Sequence, residues 1–276
     1  MAWNGHLELA FHREGARTVS RDRHEGPLRV LQRLYPEGDA VCHQVLVHPP
    51  GGMVGGDALT VRLRLDADSH ALLTTPGATR FYRSEGEWAT QTVTAELCDG
   101  ARLEWLPLET LAFPRCLGRN RLSFALAPRA QMMGWDVLAL GLPAAGQSFE
   151  EGRFEQHLEW PGHWLERGLV DGRDHLLRHS PLGLAGHDVL ATLWLAEGQA
   201  LARPRREELL ELARACIDAV GPSVVAGVTA AREGLLVLRA LGPMVEPVMA
   251  LLQSVWGAWR ECHWGLQAQP PRIWRT

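Results

Sequence analysis

The sequence predicts a mainly β (α+β) fold, with many short strands in a layered, irregular β body and two helices near the C-terminus. Two observations support this prediction. Up to about residue 180, short runs alternate apolar and polar side chains, and turn signals separate them at the spacing typical of all-β folds. In the last third, two longer segments place apolar residues at helical spacing. No internal repeat of fixed period is visible, which argues against a regular solenoid.

The strand signals begin near the N-terminus, where Leu7, Leu9 and Phe11 alternate with less apolar neighbours. A β-rich run over 41–48 ends at two prolines, and Asp99-Gly100 marks a turn between two later runs. After the first two strands, the others are expected over 59–65, 71–75, 91–97, 102–105, 122–126, 135–140 and 154–160.

The last third predicts the order strand, helix, strand, strand, helix, which resembles half of a ferredoxin-like unit. The expected bounds are 186–196, 203–220, 224–230, 234–241 and 244–262. No linker composition separates the two parts of the chain. We therefore predict one domain over residues 1–276, which can be divided into a β body (1–184) and an α+β portion (185–276).

Composition excludes several classes of protein. The chain has 276 residues and a net charge of −4, so nothing in its charge favours a nucleic-acid partner. All 28 basic residues are arginines, because the sequence contains no lysine. This excludes Schiff-base chemistry and the P-loop lysine of nucleotide triphosphatases. Arginine stays protonated in proteins, so it cannot act as a general base either.

The five cysteines indicate a reducing compartment. They are odd in number, widely spaced and never arranged as CxxC, which fits neither a disulfide framework nor a zinc ribbon. The N-terminal residues lack the apolar stretch of a secretory signal, and no apolar run approaches the length of a membrane span. We therefore expect a cytoplasmic protein that binds neither membranes nor nucleic acids.

Residues 42–57 carry the densest polar and glycine-rich signal. The loop over 49–57 lacks the GxGxxG order of a phosphate site, and Asp57 is either a functional carboxylate or a cap of the turn. Cys42, His43 and His48 are metal-ligand types, but alternation along a strand places 42 and 48 on one side and 43 on the other. A small metal-dependent hydrolase that uses these four residues is the alternative function.

Two other histidines, His175 and His179, have the i,i+4 spacing that puts both on one face of a helix. No glutamate of an HExxH motif lies between them, so a zincin site is excluded. The nearby Pro181 and Gly183 make a loop an equally good interpretation.

Several segments in order resemble the UreD (UreH) family of urease accessory proteins. Residues 48–57, HPPGGMVGGD, resemble the family signature HPPGGxVGGD, and LTTPGATRFYRS over 73–84 resembles the next family block. The segment over 103–110 is similar to the LEWLPQE block. Gly134-Trp135-Asp136 and the terminal residues 270–276 also fit, so the resemblance extends over nearly the whole chain.

This resemblance implies a non-catalytic scaffold with a largely β fold and two helices near the C-terminus. Such proteins bind apo-urease and the accessory protein UreF, which recruits the GTPase UreG, and together they deliver nickel to urease. Nickel is thought to pass through an internal tunnel, so the resemblance implies transient nickel and no tightly bound cofactor. The tunnel-lining candidates carried over by position are Asp57, Asp136, Glu166 and, as a weaker one, Asp39.

Overall fold

The computed structural model describes residues 2–275, except for the side chain of Ala144. The strands are β1 (Asn4–Glu14), β2 (Arg17–Glu25), β3 (Arg29–Val30), β4 (Val41–Val47), β5 (Ala58–Leu65), β6 (His70–Thr74), β7 (Thr79–Phe81), β8 (Ala89–Leu97), β9 (Arg102–Trp105), β10 (Thr110–Ala112), β11 (Leu117–Leu126), β12 (Gln131–Leu140), β13 (Arg153–Trp160), β14 (Trp164–Asp171), β15 (Val189–Glu197), β16 (Val225–Arg232) and β17 (Leu235–Gly242). The helices are α1 (His175–His179), α2 (Arg203–Val220) and α3 (Val245–Trp264).

The strands form two sheets, which confirms the mainly β prediction. The seven-stranded sheet has the order β14-β13-β11-β8-β5-β1-β2. The larger sheet has the order β16-β17-β15-β12-β9-β6-β4-β3, and β7 and β10 join it beside β12. From β4 to β13 the chain passes repeatedly from one sheet to the other, so the neighbouring strands within this segment are parallel.

The chain from β4 to β13 winds as a coil of parallel strands, and the successive turns of this coil differ in length. In the seven-stranded sheet, Ala58 pairs with Thr90, Thr90 with Arg119, and Arg119 with Glu155, so successive turns advance by 32, 29 and 36 residues. Unequal turns leave no fixed period in the sequence, which explains why no repeat is visible. The β body is therefore irregular, as predicted.

Burial differs between the two sheets because only the larger one is covered on both faces. Its inner face packs against the seven-stranded sheet, and its outer face packs against α2 and α3. As a result β12 is buried at nine of its ten positions and reads as an apolar run, whereas β5 alternates between buried and more exposed residues.

The C-terminal order of strand, helix, strand, strand, helix is confirmed. Instead of forming a separate layer, β15, β17 and β16 extend the larger sheet by antiparallel pairing from β12. The described residues contain three α-helices, one more than expected, and the additional α1 is a single turn at the position where helix and loop were both open. None of the helices within residues 2–275 is long and apolar enough to cross a membrane.

Candidate functional site

A cavity of about 240 Å³ lies between the two sheets. Part of its lining is exposed, including Pro76, Gly77 and Arg80, and part is deeply buried. The buried part includes apolar side chains from both sheets, namely Leu59, Val61, Val93, Leu122 and Trp105. The cavity thus leads from the surface loops into the core.

Asp136 is the buried carboxyl group of this cavity. Alternation along β12 directs Trp135 and Val137 towards the helices and Asp136 towards the opposite sheet. Position 134, two residues before Asp136, is occupied by glycine because a Cβ there would lie 2.5 Å from Cζ2 of Trp194 on the neighbouring strand. Within the GWD segment, glycine and tryptophan serve packing, while the carboxyl group faces the cavity.

Two amides of the seven-stranded sheet hold the Asp136 carboxyl group. Asn120 Nδ2 donates to Asp136 Oδ1 at 2.8 Å, and Gln156 Nε2 donates to Oδ2. Burial raises the pKa of Asp136 to about 7, the Glu166 carboxylate adds to the rise, and the bond from Asn120 opposes it. Asp136 is therefore a carboxyl group that can lose or gain a proton near neutral pH.

The amides belong to a ladder across three parallel strands. Asn120 on β11 lies in register between Gln91 on β8 and Gln156 on β13, and Gln91 Nε2 donates to Asn120 Oδ1 at 3.2 Å. Sequence reasoning missed all three residues. Their signal was available, because Gln91 precedes the inward-facing Val93 by two positions and Asn120 precedes Leu122 by two.

Glu166 lies on β14, at the edge of the seven-stranded sheet, and its side chain is 22% exposed. It accepts a hydrogen bond from Thr192 Oγ1 at 3.1 Å and forms an ion pair with Arg239 at 2.7 Å. Burial raises the pKa of Glu166, whereas Arg239 and Thr192 oppose the rise. Thr192 also pairs with Asp136 in the β12–β15 register, so the two predicted carboxyl groups belong to one polar cluster.

Asp57 has a different role, because its carboxylate closes the glycine-rich turn. Oδ1 accepts from the backbone N–H of Trp3 at 2.7 Å and Oδ2 from that of Val54 at 2.9 Å. The capping interpretation therefore describes its local structure. Asp57 also acts on His48, which lines the cavity: burial lowers the pKa of His48, and the Asp57 charge opposes that shift.

Asp39 lies on the surface, outside the lining of the cavity. Its side chain is 63% exposed and its nearest basic partner is Arg17, at 3.4 Å. The structure thus brings Asp136 and Glu166 together, places Asp57 beside a cavity residue, and leaves Asp39 apart from all three.

Similarity to known proteins identifies the family of this chain. The family model described as UreD urease accessory protein matches residues 4–275. The chain belongs to the UreD family. Relatives named urease accessory protein UreD include those of Variovorax paradoxus, 56% identical over the full length of both chains, and Leptothrix cholodnii, also 56% identical over the full length of both chains. A third, from Polaromonas naphthalenivorans, is 51% identical over 99% of both chains. This UreD-family chain is therefore a urease accessory protein, involved in urease maturation.

The residues of the alternative hydrolase do not converge in this UreD-family fold. Cys42 contacts Tyr35 and Ser20, and burial raises the pKa of its thiol. His43 bonds to Glu37 at 2.6 Å, whereas Asp57 closes the turn. Across residues 2–275, no three His, Cys, Asp or Glu side chains are arranged to hold a metal ion together.

A second buried polar network, which sequence reasoning missed, joins α3 to the β body. Arg260 on α3 is fully buried and forms ion pairs with Glu104 at 3.0 Å and with Glu37 at 2.5 Å. His70 Nε2 bonds to Glu104 at 2.8 Å, and Trp256 Nε1 donates to it at 2.7 Å. Although burial alone would raise the pKa of Glu104, these hydrogen bonds and the Arg260 charge hold it below its usual value. This network fixes the C-terminal helix on the larger sheet.

The raised pKa of Asp136 predicts a stability that falls as pH rises. In the unfolded chain this carboxyl group ionises near pH 4, but in the folded chain it ionises near 7, so the folded state binds the extra proton between these values. Its stabilising effect is complete below pH 4 and is lost as pH rises through 7. The variant Asp136→Asn stays neutral, so its stability relative to the wild type should be greater at pH 8 than at pH 5. Urea unfolding at both pH values measures the difference in the free energy of unfolding between the two proteins. An equal difference at pH 5 and pH 8 would contradict the prediction.

Proposed function

We propose that this chain is a scaffold that bridges apo-urease and UreF, recruits UreG through UreF, and passes nickel to urease through its interior cavity. In this proposal it performs no chemical turnover. Membership of the UreD family and the full-length similarity to named urease accessory proteins support the role in urease maturation. The single observation that supports the nickel path is the buried Asp136 carboxyl group at the wall of a cavity that reaches the surface.

The chemistry of the cavity suits a cation in transit. A path must bind the ion firmly enough to admit it and weakly enough to release it. Here one carboxyl group, flanked by neutral amides and apolar walls, offers few ligands instead of a closed cage. Because metal binding requires the ionised form, the proton on Asp136 competes with nickel near pH 7 and keeps binding reversible.

In this proposal Glu166, which lies outside the cavity lining but in the same polar cluster as Asp136, gives the path a second carboxylate. Its Oε1 accepts from Thr192, the register partner of Asp136, while its Oε2 faces Arg239. Asp57 contributes to the proposed path through its charge on His48, since backbone N–H groups already occupy both of its oxygens.

The scaffold function is tested by co-expressing a tagged chain with apo-urease and UreF, followed by affinity purification. We expect a stable ternary complex, and urease activity after nickel and UreG are supplied. Activity should be lost when the chain is omitted. If neither partner copurifies with the chain, the scaffold proposal is wrong.

The variant Glu166→Gln should lower the nickel content of urease while the complex still forms. The amide keeps the size of the side chain and its bond to Thr192, but removes the negative charge opposite Arg239. Metal analysis of copurified urease measures the effect. Glu159→Gln, which changes a carboxylate of β13 that bonds to His157 and not to Thr192 or Arg239, is the matched control and should leave the nickel content unchanged.

A further inference from the structure

Two histidines stand side by side on the surface between β14 and β15, outside the cavity. His175 and His179 are the first and last residues of α1, and both side chains are exposed. Their ring centroids are 6.1 Å apart and the ring planes differ by only 16°. The i,i+4 spacing in the sequence has therefore become a pair of adjacent imidazoles.

The turn that carries this pair is held at several points. Asp174 Oδ1 accepts from the N–H of Leu177 at 2.9 Å, which caps the helix N-terminus. Leu177 packs against the core between the sheets, and Arg178 forms an ion pair with Asp188 at 2.7 Å. Arg178 also donates to the carbonyl of Phe149. These contacts fix the backbone of α1, so the two imidazoles project from a rigid helical turn.

The ring nitrogens of the pair are available to a ligand. In the described part of the chain, neither ring makes a hydrogen bond or ion pair with the protein. The charged residues beside the pair in sequence have other partners: Asp174 uses Oδ1 for the cap, and Arg178 is paired with Asp188 at 2.7 Å. Rotation of the exposed side chains about their own bonds can therefore bring one nitrogen of each ring towards a common point.

We propose that His175 and His179 form a surface site for a divalent late transition-metal ion such as Ni²⁺. Two histidines at i and i+4 on one helical face hold such ions through neutral imidazole nitrogens. Within residues 2–275 no third His, Cys, Asp or Glu completes a protein cage, so water fills the remaining positions. The bound ion is consequently exchangeable. This site is independent of the cavity and does not require the proposed nickel path to be correct.

Titration of the full chain with NiCl₂ tests the site. Calorimetry should detect a saturable Ni²⁺ site, and the paramagnetic ion should broaden the NMR signals of the His175 and His179 rings before those of other histidines. The variant His179→Ala should abolish this preferential broadening, since one imidazole cannot chelate. The double variant Asp136→Ala, Glu166→Ala should leave it unchanged, which separates this site from the cavity.

A variant that keeps two exposed histidines at the wrong spacing is the sharpest control. Combining Leu176→His with His179→Ala places imidazoles at adjacent positions, which do not face each other on a helix, and Leu176 is itself exposed. We expect this variant to bind Ni²⁺ as poorly as His179→Ala. Equal binding by the wild type and His179→Ala, or no preferential broadening in the wild type, would overturn the proposal.

Discussion

Replacement of Arg260 by methionine is expected to lower the free energy of unfolding by about 3–5 kcal/mol, the usual cost of breaking a buried ion pair from one side. Arg260 is completely buried and supplies a positive charge to both Glu104 and Glu37. Methionine fills much of the space but leaves two carboxylates in the interior without a counter-charge. The loss should appear in urea unfolding followed by tryptophan fluorescence, because Trp256 contacts the same network.

Arg129→Met is the matched control for this prediction. Arg129 pairs with Asp99 at 2.6 Å, but both side chains are exposed, so solvent already screens their attraction. We expect little change in the unfolding midpoint for this variant. If Arg260→Met and Arg129→Met behave alike, the buried network does not hold α3 on the sheet.

The second large effect concerns Asp136. In the variant Asp136→Ala we expect the nickel content of urease to fall by roughly 10–100-fold, the range seen when a metal site loses a supporting group. The cavity then keeps its amides and apolar walls but loses its buried carboxyl group. Metal analysis of urease purified with the complex, at equal amounts of bound accessory chain, measures the effect.

Two further variants define what Asp136 supplies. Asp136→Asn preserves the shape of the side chain but replaces the carboxyl group by a neutral amide, so it should lose nickel delivery as Asp136→Ala does. Asp39→Ala removes an exposed carboxylate outside the cavity and should behave as the wild type. Normal nickel content in both Asp136 variants would show that the ion does not use this carboxyl group.

The strands of the interior could be predicted from the sequence because burial on one face leaves an alternating pattern. The 59–65 and 91–97 runs match β5 and β8 closely. Two strands at the edges of the seven-stranded sheet, β2 and β14, were missed. Most positions of β2 are exposed and charged, and β14 is mostly exposed or half-buried, so neither carries an apolar alternation.

The candidate site was less predictable, because pairing register brings distant residues together. Asp136 and Glu166 entered through the family resemblance, whereas nothing in the local sequence links Asn120 to Gln156, 36 residues later. Trp256 and Trp259 of α3 are buried on the outer face of the larger sheet, and Trp256 also bonds to Glu104. Because the successive turns of the coil differ in length, the residues that pair across neighbouring strands cannot be found from a fixed sequence spacing.

The most direct test of the central claim is to narrow the cavity without touching any carboxyl group. Val93 on β8 is buried and lines the cavity, so Val93→Phe places a larger apolar side chain in the proposed path. The measurement is the nickel content of urease purified with this variant, with complex formation and the circular dichroism spectrum as controls. Our account predicts an intact complex with urease poor in nickel. Urease that carries its full complement of nickel when purified with Val93→Phe would contradict it.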